Sequence, residues 1–358
     1  MQSGTALMGG KYDAEAIKMV SIKDIAAACG VSIATVSKAL NNHRDVSETT
    51  GELVRKKAKE MGYLPNSQAR ALKTNRTYNL GVLFAERSDS GLNQSYFASM
   101  LDAFKKEAEH NGYDITFISG NIGAAKMTYY EHCMYRNVDG VMVACVDDYY
   151  DEGITELIES NVPVVAIDYV PKKKLSVVSD NVSGMAELTN YIIDMGHTRI
   201  AYIYGDDSEV TSIRVKSFTD TMKRRNIEVR EGFLVQGRYH DPVRTELLVK
   251  DLLSGAKDDR PTCIILPDDY TALGAYNAIE ELGMSVPDDI SIAGYDGITL
   301  SQILKPMLTT LRQDAQRIGV EAARRLISLI KKEISCDDAP VVVKGELIKG
   351  ASVTLINR

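Results

Sequence analysis

Apolar residues recur at helical spacing in a short segment near the start of the chain, which predicts a helix with one buried face. Ser21 stands before this segment and Asp24 three positions later, which is the spacing of a reciprocal cap at a helix start. Gly30 follows and predicts the helix end, because glycine accepts the left-handed backbone conformation found there. The buried face is predicted to consist of Ile22, Ile25, Ala26 and Cys29.

Two more helical patterns follow directly. A helix over residues 33–40 is predicted after Ser32, and a longer one between Ser47 and Gly62, because serine favours helix starts and glycine helix ends. The inward-facing residues are predicted to be Val36 and Leu40 in the second helix and Leu53, Val54, Ala58 and Met61 in the third.

Two short helices joined by a glycine-containing turn and followed by a third are typical of the helix-turn-helix. Small side chains at the start of the second helix would let it approach the major groove closely. Thr35, Ser37 and Lys38 on its outer face can reach base edges or phosphates. The pattern also fits a three-helix bundle that binds protein, but the agreement of caps, polar face and charge favours DNA.

From Leu80 onward, apolar runs typical of β-strands alternate with helical patterns. The alternation predicts an α/β core of two doubly wound parallel-sheet subdomains behind the all-α headpiece. Ligands bind at the carboxyl ends of strands in such folds, and two facing halves create a cleft that can open and close. The predicted strands cover residues 80–84, 115–118, 140–144, 164–167, 200–204, 233–236, 263–266 and 290–293.

The formal net charge of −7 is distributed unevenly along the chain. Residues 18–80 carry a net charge of +6, residues 1–17 carry −1, and the remainder therefore carries −12. A basic module on an acidic body indicates that only the module touches a polyanion. Taken alone, the charge run over residues 55–59 fits a solvated helix equally well.

The cysteines are five, an odd number, and no two have CxxC spacing. Each stands in an apolar stretch, so we expect reduced core thiols in a reducing compartment. Residues 1–18 lack the pattern of a signal peptide, and no stretch reaches membrane-spanning length. We therefore expect a soluble, cytoplasmic protein without a membrane partner, and no pattern indicates a cofactor or a metal. The cysteines are Cys29, Cys133, Cys145, Cys263 and Cys336.

Residues 20–76 closely resemble the headpiece of the lactose/galactose repressor (LacI) family. The marks of the resemblance include Asp24-Ile25-Ala26, Gly30-Val31-Ser32, Thr35-Val36-Ser37, Val46-Ser47, Gly62-Tyr63, Pro65-Asn66 and Ala69-Arg70. The resemblance implies that Ile33, Ala34 and Lys38 read the operator. The other residues that it places on DNA are Ser21, Ser32, Thr35, Ser37, Asn41, Ser47, Thr50, Tyr63, Asn66, Arg70 and Leu72.

Gly51 departs from the family pattern, in which a longer and often basic residue is usual. A glycine inside the third helix costs about 1 kcal/mol of helix stability. It also removes a possible phosphate contact.

Residues 66–74 predict a short polar helix with one exposed large apolar side chain, Leu72. The segment is too short for a stable helix in water, which fits a helix that folds only on DNA. In the resembled family, two such hinge helices pair in the minor groove and the leucine pries a base step apart. Without the resemblance, a flexible linker would be the preferred interpretation.

Residues 79–352 resemble the core of the LacI family and the periplasmic sugar-binding fold. The marks include Gly196-His197-Thr198-Arg199-Ile200, Val286-Pro287-Asp288-Asp289-Ile290 and Gly294-Tyr295-Asp296. By this comparison, residues 1–18 are an extension or cloning remnant, 19–65 the helix-turn-helix domain and 66–78 the hinge helix and linker. Residues 79–178 with 311–335 would form the N-subdomain of the core, and residues 179–310 with 336–356 the C-subdomain.

Candidate ligand contacts follow from strand ends and side-chain chemistry. The planar fork of Arg214 suits hydroxyl pairs or carboxylates, and Asp268 and Asp296 at strand ends can accept hydrogen bonds from sugar hydroxyls. The resemblance puts all three at effector-binding positions, with Asp268 where Asn is commoner. Each also has a structural interpretation as cap, ion pair or core residue. The other candidates are Tyr96 and Phe97, which could stack on a ring, and Gln313, which could close the far side; Asp269, Asp288 and His197 are interpreted as structural.

These observations predict a transcription repressor that binds a palindromic operator in double-stranded DNA as a homodimer. A small effector in the core would control that binding, and a sugar or sugar derivative is the default. An enzyme is disfavoured because GxGxxG, HExxH and GxSxG motifs are absent from the sequence. A transport-type binding protein would need an export signal and no headpiece. A regulator of the same family that requires a protein coregulator stays open.

Overall fold

The computed structural model describes residues 20–64, 76–85, 92, 94–122, 125–146 and 151–356. The chain divides into two compact units, one ending at Thr77 and the other beginning at Tyr78. The extension expected over residues 1–18 lies outside the described residues. So does the expected hinge helix, with the DNA contacts assigned to Asn66, Arg70 and Leu72.

Over residues 20–64, the amino-terminal unit contains three helices, as the sequence predicts. Each begins after a serine whose hydroxyl accepts a hydrogen bond from a main-chain N–H of the first turn. Ser21 and Asp24 form the predicted reciprocal cap, and Gly30 closes the first helix with a φ of 63°. The helices are α1 (Ile22–Cys29), α2 (Ile33–Leu40) and α3 (Glu48–Glu60).

The three helices enclose a small apolar core. Leu53, predicted on the inner stripe of α3, is 49% exposed, so this prediction was wrong. The buried face of α3 runs through Gly51, Val54 and Ala58, and a residue next to position 54 is rotated by about 100° around the helix. The buried core residues are Ile25, Ala26, Val36, Ala39, Val54 and Ala58.

The second unit begins with a sheet of six parallel strands. Its order is β13-β7-β6-β5-β1-β2 when the strands are numbered along the chain. The β6 strand is buried along its whole length, as expected for a parallel sheet with helices on both faces. The elements are β1 (Asn79–Ala85), α4 (Ser95–His110), β2 (Asp114–Ile118), the two-stranded hairpin of β3 (Asn121–Ile122) and β4 (Ala125–Lys126), α5 (Tyr129–Arg136), β5 (Gly140–Val146), α6 (Glu152–Glu159), β6 (Val164–Ile167), β7 (Leu175–Ser179) and β13 (Val341–Val343).

A second six-stranded sheet has the order β14-β12-β11-β10-β8-β9, and β14 is its antiparallel strand. Its apolar residues form two clusters, one on each face. The two doubly wound sheets therefore agree with the predicted fold class. The elements are α7 (Asn181–Asp194), β8 (Ile200–Tyr204), α8 (Glu209–Arg224), β9 (Leu234–Gln236), α9 (Pro242–Leu252), β10 (Cys263–Ile265), α10 (Ala272–Glu281), β11 (Ser291–Asp296), α11 (Thr299–Ile303), β12 (Thr309–Arg312) and β14 (Glu346–Ile348).

The chain passes between the two sheets after β7, after β12 and after β13. After β12, the helix α12 (Ala315–Ile330) packs on the first sheet beside α4. Gly319 allows that close approach, because a Cβ there would lie 2.1 Å from the carbonyl oxygen of Met100.

The strand β13 corrects the expected boundary between the two halves. The sequence analysis assigned everything from residue 336 to the second half, but β13 pairs with β7 in the first sheet. Only β14 and the residues after it return to the second sheet. An apolar run of this length fits the edge of either sheet, so the pattern alone could not assign it.

The cysteines are less uniformly buried than expected. Cys133 and Cys263 are buried, whereas Cys29 and Cys336 are half-buried, and all four are free thiols. The side chain of Cys145 lies outside the described part of the structure. Within the described ranges, no helix is both long enough and apolar enough to span a membrane.

Candidate DNA interface and ligand site

The outer face of α2 carries side chains that the sequence analysis assigned to DNA. Val36 and Ala39 on the opposite face are buried in the core of the unit, so the outer face is left to solvent. Tyr63, another expected contact, is half-buried against the same core, and burial raises the pKa of its hydroxyl. Exposed on the outer face are Ser32, Ile33, Ala34 and Lys38, and half-buried are Thr35 and Ser37.

The three serine caps mark helix starts that can hold phosphate. Ser32 Oγ accepts a hydrogen bond from the Thr35 main-chain N–H at 3.0 Å, and Ser47 Oγ donates one to Thr50 Oγ1 at 2.8 Å. Ser21 caps α1 in the same way, and all three serines are exposed. Helix starts attract anions through their first-turn N–H groups and the helix dipole.

Lys38 forms an ion pair with Asp45, which lies in the loop between α2 and α3. About half of each side chain is exposed, 50% for the lysine and 54% for the aspartate. The hydrogen bond from Lys38 lowers the pKa of Asp45. Asn41, also exposed, donates from its side chain to the Ser37 carbonyl at 2.7 Å. The sequence analysis did not identify Asp45, since nothing in the spacing shows that this loop folds back on α2.

Arg55 reaches back along α3 over Gly51 to the end of α2. Its guanidinium donates to Asn42 Oδ1 at 3.0 Å and to the Ala39 carbonyl at 3.4 Å. A Cβ built at Gly51 would lie 3.1 Å from Arg55 Nη1, so the guanidinium fills the space of a side chain at position 51. Gly51 was expected to remove a possible phosphate contact, and the guanidinium of Arg55 lies over this position.

In the second unit, Arg214 is the buried cation of a polar cluster. It lies on α8 and is 4% exposed. Its Nε donates to Asn181 Oδ1 at 2.7 Å, and its Cζ lies 3.7 Å from the centre of the Tyr295 ring. The guanidinium is therefore held in a fixed plane by an amide and an aromatic face.

Asp296 ends β11 beside this cation. Its φ of 103° is unusual for a residue with a side chain, and it aims the carboxylate out of the strand. Gln313 Nε2 donates to Asp296 Oδ1 at 2.7 Å, while Gln313 Oε1 is buried without a partner among the described residues. Burial raises the pKa of Asp296 to about 6; Arg214 opposes that rise and Asp268 adds to it.

Asp168, which the sequence analysis missed, joins the cluster from the first sheet. It follows β6, and its Oδ1 accepts the Ser179 main-chain N–H at 2.6 Å. Tyr96 Oη donates to Asp168 Oδ2 at 3.4 Å. Burial raises the pKa of Asp168, and the nearby charge of Arg214 partly offsets that effect. An aspartate directly after a buried strand is the signal that identified Asp268 and Asp296, and it was available here too.

The neighbouring aspartates at the end of β10 are engaged by the protein itself. Asp268 accepts main-chain N–H groups of His240 at 2.8 Å and of Thr271 at 2.9 Å. Asp269 accepts the Thr310 hydroxyl at 2.6 Å and the Ile298 N–H at 2.9 Å, which fits its structural interpretation. Asp268 thus supports the loop around the cluster and has less acceptor capacity left than Asp296.

Aromatic rings complete the surroundings of the cluster. Phe97 packs edge-on against Tyr96 at 5.1 Å and Phe84 at 5.4 Å between ring centroids. Tyr239 was missed by the sequence analysis because it lies in the loop after β9; its Oη is 2.9 Å from Thr211 Oγ1. A Cβ at Gly205 would lie 2.1 Å from the Tyr239 ring, so this glycine makes room for it.

The cluster lies where the two doubly wound sheets end their parallel strands. It combines a buried guanidinium, carboxylates from both sheets, a buried amide oxygen and tyrosines, a set suited to binding a small polar ligand. In the described part of the chain, no group of three or more His, Cys, Asp or Glu side chains could hold a metal ion.

Comparison with known protein families matches both units. Residues 21–66 match the profile of bacterial regulatory proteins of the lacI family. Residues 189–353 match the periplasmic binding protein-like domain.

Individual relatives span nearly the whole chain. The HTH-type transcriptional repressor PurR of Vibrio campbellii is 32% identical over 319 residues, which cover 87% of this chain and 92% of the relative. PurR of Histophilus somni is 32% identical over 323 residues, with 88% and 93% covered.

Solved structures share the fold. The Lac repressor dimer bound to operator and the anti-inducer ONPF has a TM-score of 0.80 at 24% identity, covering 94% of this chain and all of that one. The complex of the transcriptional regulator CelR with cellobiose has a TM-score of 0.67 at 24% identity, with 93% and 99% covered.

Proposed function

Because the chain belongs to the lacI family of bacterial regulatory proteins, we propose that the exposed face of α2 reads a palindromic operator and that a ligand at the Arg214 cluster controls this binding. The protein is a DNA-binding transcriptional regulator of the repressor type that acts as a homodimer under a small-molecule effector.

The DNA assignment is supported by one observation on α2: one side of this helix is buried in the core of the unit, and its polar side faces solvent. Lys38, Ile33 and Ala34 meet base edges in the major groove. Capped helix starts hold phosphates, and Arg55 adds a cation near the start of α3. The phosphate-facing residues of the proposal are Ser21, Ser32, Thr35, Ser37, Asn41, Ser47, Thr50, Tyr63 and Asn66. From the hinge, Arg70 also contacts DNA, and Leu72 pries a base step apart in the minor groove.

The ligand assignment is supported by charges that meet from both sheets. Asp168 belongs to the first sheet and Asp296 to the second, and the charge of Arg214 reaches both. Ser179 and Gln313, which bond to the two carboxylates, stand where the chain passes between the sheets. A ligand held by the carboxylates therefore acts on the connecting segments, and a shift of one half against the other changes operator affinity.

For the ligand itself, we propose a sugar or sugar derivative. Carboxylates accept hydrogen bonds from hydroxyl groups, and a guanidinium donates two parallel bonds to neighbouring oxygens. Arg214, Asp296, Asp168 and Gln313 supply these groups, Asp268 supports them, and Tyr96 and Phe97 offer a ring face. A purine is the second candidate, because the aromatic rings near the cluster could stack on a planar base. We also propose that the site binds without catalysing a reaction.

The proposal is tested with the full-length protein and two duplexes of equal length. One is the inverted repeat that the protein selects from a randomised duplex pool, and the other has random sequence. We expect fluorescence anisotropy to give at least a 1,000-fold preference for the inverted repeat, the lower end of about 10³–10⁷ for specific binding. A thermal-shift screen against sugars, uronates, nucleosides and purines then identifies the effector. Failure to select any inverted repeat would contradict the DNA assignment.

A further inference from the structure

An acidic side chain stands beside the lysine that the proposed function places on base edges. Asp45 and Lys38 form an ion pair on the exposed side of α2. A carboxylate at a DNA-binding surface is electrostatically unfavourable, because the duplex backbone is negative. Exposed ion pairs also contribute little to folding stability. Folding stability therefore does not account for an acidic side chain at this position, whereas a role in DNA recognition would.

The loop that carries Asp45 is fixed from several sides. The His43 main-chain N–H donates to the Lys38 carbonyl at 3.0 Å, and the Val46 N–H donates to the His43 carbonyl at 3.3 Å. Asn42 has a φ of 54° and accepts the Arg55 guanidinium at 3.0 Å. These hydrogen bonds hold the loop so that the Asp45 carboxylate lies next to α2. The ion pair with Lys38 therefore follows from an ordered backbone.

We infer that Asp45 is a specificity-determining residue, which positions the Lys38 ammonium for a base edge and makes it a poor partner for phosphate. The inference rests on the proposed function of α2. A lysine paired with a carboxylate carries little net charge toward the backbone. In the major groove, an ammonium aimed in this way donates to guanine O6 and N7 of a G·C pair.

The decisive variant is Asp45→Asn, which keeps the shape of the side chain and removes its charge. It frees Lys38 for phosphate, so we expect tighter binding to the random-sequence duplex. The slope of log K against log salt should steepen by about 0.9 for each freed lysine. The preference for the selected inverted repeat over random duplex should fall about fivefold or more, with the loss confined to G·C pairs at one position of each half-site.

Glu60→Gln is the matched control, because Glu60 pairs with Lys57 on α3 at 2.9 Å with similar exposure. Glu60→Gln removes the same charge from the same unit, but its partner Lys57 is not among the proposed DNA contacts. We therefore expect it to leave the preference for the inverted repeat unchanged. If the two variants alter the preference equally, the inference is overturned. If Asp45→Asn lowers the preference and Glu60→Gln does not, the inference stands.

A double-mutant cycle checks that Asp45 acts through Lys38. In a Lys38→Gln background, we expect Asp45→Asn to leave the preference for the inverted repeat unchanged, which a merely structural role would not predict. An equal loss with and without Lys38 would overturn the inference. A wild-type protein that selects no inverted repeat would fail the proposed function, a result distinct from one that selects a repeat but does not respond to Asp45→Asn.

Discussion

Arg214 combines a buried charge with a fixed plane, and both properties suit the ligand contact that we propose for it. We predict that Arg214→Lys weakens binding of the effector found by the thermal-shift screen by about 10- to 150-fold, the equivalent of one charged hydrogen bond. Lysine cannot keep the bond to Asn181 and the contact with Tyr295 at once. Isothermal titration calorimetry measures the loss.

The control for this prediction is Arg225→Lys, at the end of the same helix. Arg225 is exposed and bonds to Asp194 at 2.6 Å and to Asn190 at 3.0 Å, away from the cluster. We expect it to bind the effector as the wild type does. Equal affinities for the two variants would show that Arg214 does not contact the ligand.

We predict that effector binding depends on pH through Asp296. Burial raises its pKa to about 6, whereas a ligand hydroxyl that donates to it favours the charged form. Binding therefore releases a proton below that pKa, and affinity should fall as the pH drops from about 7 to about 5, by at most about tenfold per pH unit. Titrations across this range in the wild type measure the slope.

Asp296→Asn is the variant that separates this residue from its neighbour. The pKa of Asp168 is also raised by burial, so some pH dependence should persist in the variant. We expect a shallower slope than in the wild type. An unchanged slope would assign the pH dependence to another group.

At the scale of elements, α3 contains a glycine that its surroundings do not require. Gly51 has an ordinary helical backbone, and the atoms nearest to an added Cβ are the far end of the Arg55 side chain, at 3.1 Å. That guanidinium can move by a few tenths of an ångström. We therefore predict that Gly51→Ala stabilises α3 by about 0.5–1 kcal/mol, through the lower helix-forming cost of alanine.

Hydrogen exchange of the α3 amides in the full-length protein measures this change. Gly255→Ala is the control, because nothing lies within 4 Å of a Cβ at that position in the second unit. We expect slower exchange in α3 for the first variant and no change there for the second. Faster exchange in the Gly51→Ala protein would mean that displacing the Arg55 guanidinium costs more free energy than the alanine gains through its higher helix propensity.

Elements with strong local signals could be predicted from the sequence. The three capped helices and strands such as β6 and β8 were predicted to within a residue, because caps and fully apolar runs are local properties. The strands β7, β12, β13 and β14 were not among the predicted strands. For β13 and β14, the reason is that they gain their partners only after the chain passes between the sheets. Which sheet a short edge strand joins depends on pairing across long stretches of chain.

The candidate sites divide in the same way. Asp296 at the end of β11 and Arg214 on the helix after β8 were predicted as ligand contacts because their positions follow from the fold class. Tyr239 and Asp45 lie in loops, and the bonds that place them come from residues distant in the sequence or from a backbone turn without a motif. Asp168 followed a buried strand, so the rule used for Asp296 would have identified it.

At the scale of the whole molecule, the affinities of the proposed DNA interface and the proposed ligand site must obey one quantitative relation. If saturating effector changes the affinity for the selected operator by some factor, the operator must change the product of the effector affinities at the two sites of the dimer by the same factor, because both describe one coupling free energy. We predict a factor of about 5–150, the usual range for allosteric coupling. Anisotropy titrations of operator at saturating effector, and calorimetric titrations of effector at saturating operator, measure it from both sides.

We propose that the segments passing between the two sheets transmit this coupling, and a substitution in one of them can interrupt it. Gln313 stands at one passage and holds Asp296 through its side-chain amide. Gln313→Leu removes that hydrogen bond, so we expect the coupling factor to fall in both titrations while the preference for operator over random duplex, measured without effector, is kept. If the factor stays at its wild-type value in this variant, the signal does not run through Gln313. If the two titrations of the wild type give different overall factors, one of them was not at equilibrium, because the factors of a closed thermodynamic cycle must agree for any number of states.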